Sequence, residues 1–317
     1  MKNENVLIIG LGNLGLRYLE AALKVKKIKF IYLYDQKKKI RNFLKLKFLR
    51  NRRVKIIEKI STCKFFFFSI CIIATYAKDR SLLIKFLEKK FFIKNYIIEK
   101  VLEQSGKKIF EIKKNLNKKL KTTWVNLPNR TFNFYKIIKK KIKNKSVKAL
   151  VSGNNWGMAS NIFHLIDLYS LLFNSRFKSL SIKKNLEFGI SKRKKFIEIV
   201  KGECHVFFEN GSLLILKCYK SNLPITLKHH IYGKNNKVIL LIDDILMTIK
   251  SRNYFLRFKI DFLSHYMIDI IKKILSKSVS VLPRFEDLYI DHANIIESII
   301  NSYNIRYKKN IKYINIT

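Results

Sequence analysis

The chain has 317 residues, with 66 Lys and Arg against 22 Asp and Glu, a formal charge of +44. Hydrophobic residues make up 48% and charged residues 28%, enough apolar surface for a sizeable core, which excludes wholesale disorder and a small scaffold held by staples. At ordinary domain sizes this length predicts two domains, or one with a large insertion.

The charge invites a nucleic-acid reading, because Lys and Arg on phosphates release counterions. Its distribution argues otherwise. Of the 66 basic residues 53 are Lys, spread through every segment beside abundant Ile, Asn, Phe and Tyr, the mixture that AT-biased codon usage yields. No basic stripe with interleaved stacking aromatics stands out, so we expect no specific nucleic-acid partner and only salt-sensitive sticking to polyanions. The competing reading is a functional polyanion or anionic-membrane surface. Cys63, Cys71, Cys204 and Cys218 lie far apart or inside apolar runs, without the spacing of zinc or redox motifs. Reduced thiols in a cytosol, and no metal centre, are the expectation.

The N-terminus, MKNENVLIIG, passes straight into a strand-like run with no signal-peptide pattern. VLIIG, residues 6–10, is the short β-branched run of a strand buried on both faces. GLGNLGLRYLEAAL follows, with Gly10, Gly12 and Gly15 at the GxGxxG spacing and good helix formers behind them. Gly10 allows a tight turn, Gly12 lets backbone approach a pyrophosphate, and Gly15 lets helix pack on strand. The amides at Asn13 and Leu14 open the helix toward an anion. FIYLYDQ supplies a second strand ending at Asp35, 20 residues after Gly15, where a carboxylate can accept both adenosine ribose hydroxyls. The alternative is an ordinary tight turn with Asp35 capping a strand. NAD is favoured because Asp35 repels a 2′-phosphate, while Lys37, Lys38 and Lys39 keep NADP open.

FFFFSICIIA, residues 65–74, is about half the ~20 residues of a spanning helix and reads as a buried strand ending at Ala74 and Thr75. A helix-like DRSLLIKFLEKK and the strand NYIIEK continue a doubly wound pattern to about residue 120, with Thr75, Glu99 and Lys100 at strand ends where ligands bind. A solvated ion pair is the bland alternative for Glu99 and Lys100. TTWVNLPNRTFNFYKIIKKKI then reads as strand, turn at Pro128 and amphipathic helix. Residues 159–173 form an amphipathic helix with Asn161, His164 and Asp167 on related turns. Alternating runs dominate from about Leu180 to Phe262, with a hairpin signal at ENG, residues 209–211, and a last helix begins near Pro283.

The segments GLGNLGLRY, ATYAKD, Glu99-Lys100, VNLPNR, NNWGMASNIFHLID, SKRKKFIEI and SVLPRFEDLYIDH, in that order, resemble the Gfo/Idh/MocA oxidoreductases, the superfamily of glucose-fructose oxidoreductase and inositol dehydrogenase. Within it, the likeness is to the branch associated with surface-polysaccharide sugars. The resemblance implies an α/β chain: a Rossmann domain over 1–121 with a doubly wound parallel sheet, then a substrate and dimerisation domain over 122–317 with an open, mostly antiparallel sheet. It implies a non-covalent nicotinamide cofactor held by the glycine turn, Asp35, Ala74, Thr75 and Glu99, a sugar or nucleotide-sugar substrate, and a homodimer or tetramer in the cytoplasm. The family's EKP motif falls on Glu99, Lys100 and Val101, so Lys100 is the expected catalytic lysine, with Val101 in place of the usual Pro. A second signature places Asp four residues before His on one helix; His164 matches, whereas the Asp position holds Ser160. By the same likeness Asn126, Arg130, Trp156, Ser160 and Asn161 are the expected substrate contacts, with a purely structural role as the alternative for the turn that holds Asn126 and Arg130. A member without that Asp and Pro is alternatively a dinucleotide- or sugar-nucleotide-binding sensor or assembly subunit.

Overall fold

The computed structural model describes residues 4–64, 67–116, 122–142, 146–183, 185–191, 196–223, 225, 227–232, 237–242, 246–251, 254–259, 263–276 and 282–317. Phe65 and Phe66 of the apolar run, Lys121 at the expected domain boundary, and residues 192–195 of SKRKKFIEI lie outside them. In chain order the first elements are β1 (Glu4–Ile9), α1 (Asn13–Leu23), β2 (Ile28–Tyr34), α2 (Lys38–Lys47), β3 (Val54–Ile56), β4 (Phe67–Phe68), β5 (Ile70–Ile73), α3 (Arg80–Lys90), β6 (Phe92–Ile93), β7 (Asn95–Glu99), α4 (Gly106–Leu116) and β8 (Thr122–Asn126). There follow α5 (Asn133–Lys141), β9 (Lys148–Asn154), α6 (Met158–Phe173), β10 (Phe177–Ile182), β11 (Glu187–Ile190), β12 (Ile197–Phe208), β13 (Leu213–Tyr219), β14 (Leu227–Tyr232), β15 (Lys237–Ile242), β16 (Leu246–Ser251), β17 (Tyr254–Lys259), α7 (Leu263–Leu275) and α8 (Phe285–Tyr307).

Two units are formed. The first takes Met1–Glu103, Lys107–Asn126 and Phe262–Tyr289, the second Gln104–Gly106, Leu127–Asp261 and Ile290–Thr317. The first unit is a six-stranded sheet in the order β3-β2-β1-β5-β7-β8, every named pair parallel. That is the doubly wound order, whose direction of winding reverses beside β1, so the ends of β1, β5, β7 and β8 share one edge. The apolar runs sit where burial on both faces requires them: Val6, Leu7, Ile8, Ile72, Ile97 and Ile98 have no exposure. Helix α1 turns Tyr18, Leu19, Ala21 and Ala22 inward, and α7 adds Met267, Ile270, Ile271 and Ile274 to the same core. The FFFF run divides at Ser69: β5 joins the main sheet, whereas β4 pairs with β6 in a separate two-stranded sheet that leaves Phe67 exposed.

The second unit is a nine-stranded sheet, β10-β12-β13-β9-β14-β15-β16-β17, with β11 also on β12. Strand β13 pairs with β9 in parallel and the other named pairs are antiparallel. The ENG segment joins β12 to β13 as a hairpin. Along β12 and β13, Cys204, Val206, Phe208, Leu214 and Leu216 point into the core, under the apolar face of α6.

Candidate functional site

The glycine turn follows from where β1 ends. Gly10 has φ +86°, and a Cβ there would meet the Ala74 carbonyl carbon and the Thr75 nitrogen at 2.8 Å, so the β1 turn lies against the end of β5. A Cβ on Gly15 would fall 1.9 Å from the Gly10 carbonyl oxygen; without one, α1 closes on the strand. At Gly12 a Cβ meets nothing within 4 Å. The three positions thus do three different things: turn, open approach and close packing. No side chain caps α1 and its first turn carries no acid, so the amides of Asn13, Leu14 and Gly15 are the groups an anion can take.

Asp35 accepts from the Leu11 amide at 2.7 Å through Oδ2 and from the Lys37 amide at 2.9 Å through Oδ1. It therefore braces the glycine turn, and a carboxylate has acceptor capacity left for hydroxyls. Arg41, close by on α2, donates to the Gln36 carbonyl at 2.9 Å.

Along the same edge a buried polar group gathers. Glu99, 6% exposed, accepts from the Tyr18 hydroxyl at 3.0 Å and from the Asn126 amide at 2.5 Å. Burial pushes its carboxyl up to about 7, against the pull of Asn126, the Arg80 guanidinium, Tyr18 and Lys100. Arg80, 1% exposed, donates to the backbone carbonyls of Thr75, Glu99, Val101 and Leu102, holding the ends of β5 and β7 together. Burial lowers it to about 10. Lys100 is half-buried and its peptide bond to Val101 is cis. Thr75 Oγ1 and Asn126 Oδ1 are buried without a protein hydrogen-bond partner among the described residues. Orphaned polar atoms and an open glycine cradle on one strand edge are what a dinucleotide needs, and the residues present fit that group.

In the second unit Trp156, 5% exposed, is fixed by its indole N–H on the Lys217 carbonyl at 2.9 Å. Asn161 Nδ2 donates to the Trp156 carbonyl at 2.7 Å, so these two expected substrate contacts stand together at the start of α6. His164 is half-buried one turn after Ser160. Asp167, 3% exposed, takes a two-pronged bond from Arg130, Nε to Oδ2 at 2.9 Å and Nη2 to Oδ1 at 2.6 Å. Burial raises the Asp167 carboxyl to about 6 despite Arg130. From the sequence, Asp167 could either orient the His164 ring or satisfy a buried pair; the fold gives both its oxygens to Arg130. Sequence reasoning missed Tyr18, Arg80 and Glu198. The signals were present: a rare Arg in a Lys-dominated chain, and an acid inside the apolar run FIEIV. Glu198, 7% exposed, accepts from the amides of Ala159 and Ser160 at the start of α6.

No family model matches this chain, and no curated protein matches it in sequence. Solved structures do. A putative NADPH-dependent oxidoreductase from Desulfitobacterium hafniense is similar over 97% of this chain and 96% of its own, with TM-score 0.70 and 13% identity. UDP-N-acetylglucosamine 3-dehydrogenase GnnA from Acidithiobacillus ferrooxidans is similar over 97% and 98%, with TM-score 0.68 and 10% identity. The transcriptional regulator Gal80p from Kluyveromyces lactis is similar over 98% and 94%, with TM-score 0.72 and 13% identity. Both units, with the glycine turn opening the first, thus have the architecture that the sequence resemblance implied: the chain has the fold of the Gfo/Idh/MocA-type oxidoreductases.

Proposed function

We propose that this chain is an NAD(P)-dependent oxidoreductase acting on a hydroxyl or keto carbon of a sugar or nucleotide sugar, in surface-polysaccharide synthesis in the cytoplasm. The observation that carries the reading is the glycine turn, where open space at Gly12 adjoins the uncapped start of α1. In this reading Gly10, Gly12, Asn13, Leu14 and Gly15 take the diphosphate, Asp35 the adenosine ribose, and Ala74, Thr75 and Glu99 the nicotinamide half. A substrate of nucleotide-sugar type is supported by the name of the similar dehydrogenase, which acts on a UDP-sugar.

A bound nicotinamide supplies hydride donation or acceptance. The chain's own work is to hold the substrate, polarise its oxygen and move one proton. Lys100 is proposed to place its ammonium at that oxygen and stabilise charge as it develops, with Glu99 behind it anchored by Tyr18 and Asn126. His164 exchanges the hydroxyl proton. Trp156 and Asn161, locked together through the Trp156 carbonyl, and Ser160 form the sugar-facing turn. Arg130 contributes through the Asp167 pair, which fixes the guanidinium plane.

A second reading has a specific support: the fold is shared with a transcriptional regulator, and Ser160 stands where the family acid is expected. In it the chain binds dinucleotide or sugar nucleotide as a sensor. One experiment separates the two. Fluorescence titration with NADH and NADPH, then absorbance at the reduced-nicotinamide band with the oxidised form of whichever cofactor binds, UDP-N-acetylglucosamine and a nucleotide-sugar panel, should give uptake of one cofactor and turnover. Lys100→Met and His164→Ala should retain uptake and lose at least ~10²-fold in turnover. No uptake of either cofactor by folded protein sinks the oxidoreductase reading and the dinucleotide form of the sensor, leaving only a sugar-nucleotide sensor; uptake without turnover across the panel favours the sensor.

A further inference from the structure

The helix that carries His164 begins without an acid of its own in its first turn, and Ser160 occupies the place where the resemblance expects one. A carboxylate stands there nonetheless. Glu198 reaches over from β12, 38 residues along the chain, and its Oε1 accepts from the amides of Ala159 and Ser160, the latter at 3.1 Å, and from its own strand at the Ile199 amide, 3.1 Å. Its Oε2 lies 3.3 Å from the Ser160 nitrogen, and the Ser160 hydroxyl, in the same turn, donates to the Gly157 carbonyl at 3.1 Å. Glu198 is buried at 7% exposure inside an apolar run. Its place is kept clear by Gly157: at φ +70° a Cβ there would sit 3.1 Å from Glu198 Oε2 and 3.2 Å from Ser160 Oγ. An anion at the amino end of a helix is favoured by the helix dipole and satisfies amides that otherwise lack partners. Ser160 and His164 are four residues apart, hence on one face in adjacent turns.

We infer that Glu198 is a positioning residue that returns to α6, from β12, the carboxylate missing at Ser160: it holds the Gly157–Ser160 turn and sets the electrostatic environment of His164 one turn on. This rests on the reading of His164 as the proton-exchanging group. Burying a carboxylate in an apolar strand is costly unless it is well bonded, and here three amides satisfy it. A cap serving the helix alone could be an uncharged amide; here it is the charge that acts on His164.

The test reads the imidazole ring resonances of His164 at fixed neutral pH in the full chain, assigned by their loss in His164→Asn, and needs no substrate. Glu198→Gln should displace the His164 signals. In that background Ser160→Asp, which restores a carboxylate on the helix itself, should bring them back by at least half, whereas Ser160→Asn, equal in size but uncharged, should not. Ser160→Ala, which leaves the backbone bonds to Glu198 in place, should move them the same way by less, and keeps the question answerable if Glu198→Gln does not fold. Signals indifferent to Glu198→Gln and to Ser160→Ala, or restored equally by Asn and Asp at 160, overturn the inference. Full turnover in His164→Ala would instead remove the proton-exchange role while leaving the coupling measured here intact.

Discussion

Gly12 and Gly15 stand three residues apart in one turn, yet an added methyl group should affect them differently. At Gly15 the methyl meets a backbone carbonyl oxygen at 1.9 Å, which no side-chain rotation relieves, so Gly15→Ala must separate α1 from β1. Overpacking of this kind costs about 1–3 kcal/mol or more. At Gly12 the methyl enters open space, and Gly12→Ala should change stability by no more than about 1 kcal/mol, the difference between glycine and alanine at a helix N-cap. It should nonetheless abolish NADH uptake, because the methyl fills the approach to the amides. Paired urea melts and fluorescence titrations check this: equal destabilisation by the two variants, or unimpaired uptake in Gly12→Ala, contradicts the assignment of roles. The glycine spacing was legible in the sequence, since GxGxxG between a strand and a helix has few physical uses. That Asp35 bonds the amides of Leu11 and Lys37 was not, because a bond to a residue 24 positions back leaves no mark in either segment.

Among elements, the Glu99 carboxylate joins α1, β7 and β8 through Tyr18 and Asn126. Its position in the fold makes the unit sensitive to pH in a definite sense. The folded carboxyl has been raised by burial to about 7 from its ordinary 4.5, so the folded state binds the proton more tightly than the unfolded chain. Its contribution to stability is fully present below about 4.5 and is lost as pH rises through about 7. Asp167, raised to about 6 from 3.8, acts in the same sense over a lower window in the second unit. Glu99→Gln should therefore flatten the decline in stability between about pH 5 and about pH 8 without reversing it. Urea midpoints at the two values read this directly; an unchanged slope in the variant shows that Glu99 is ionised in the fold throughout. The strands and helices themselves were mostly legible, α6 and β7 among them, because their apolar periods are clear. Helix α7 was not: LSHYMIDIIKKIL follows the alternating runs of the second half, and only the fold shows its Met267, Ile270 and Ile274 packed with α1.

For the molecule as a whole, the open face of the nine-stranded sheet gives the expectation of a homo-oligomer a physical basis. Paired positions across the strands set Phe207 beside Leu213, and His205, Ile215, Leu150 and His230 in one row, half-buried or exposed on the face opposite Cys204, Val206 and Leu216. A like-charged chain at +44 resists association in low salt, so contact must come from the apolar rows of this face and not from its neighbouring row of Glu203, Lys217 and Lys228. Sedimentation at physiological salt should show a dimer, which Ile215→Asp converts to monomer with NADH uptake retained; a wild-type monomer at high concentration sinks the proposal. Among the described residues no helix is long and apolar enough to cross a membrane.

By itself the sequence determined what nearest neighbours along the chain can encode: the buried parallel strands, the glycine turn and its helix, the change to alternating strands after the middle, and the family likeness of ordered short motifs. Those follow from period, propensity and glycine stereochemistry, all local quantities. The tertiary structure alone decided which charges meet. Arg130 goes to Asp167, Arg80 to four strand-end carbonyls, and Glu198 to the start of α6, because burial forces each polar group to find a partner, and the nearest one in space is dozens of residues away in sequence or a backbone atom that no residue letter records.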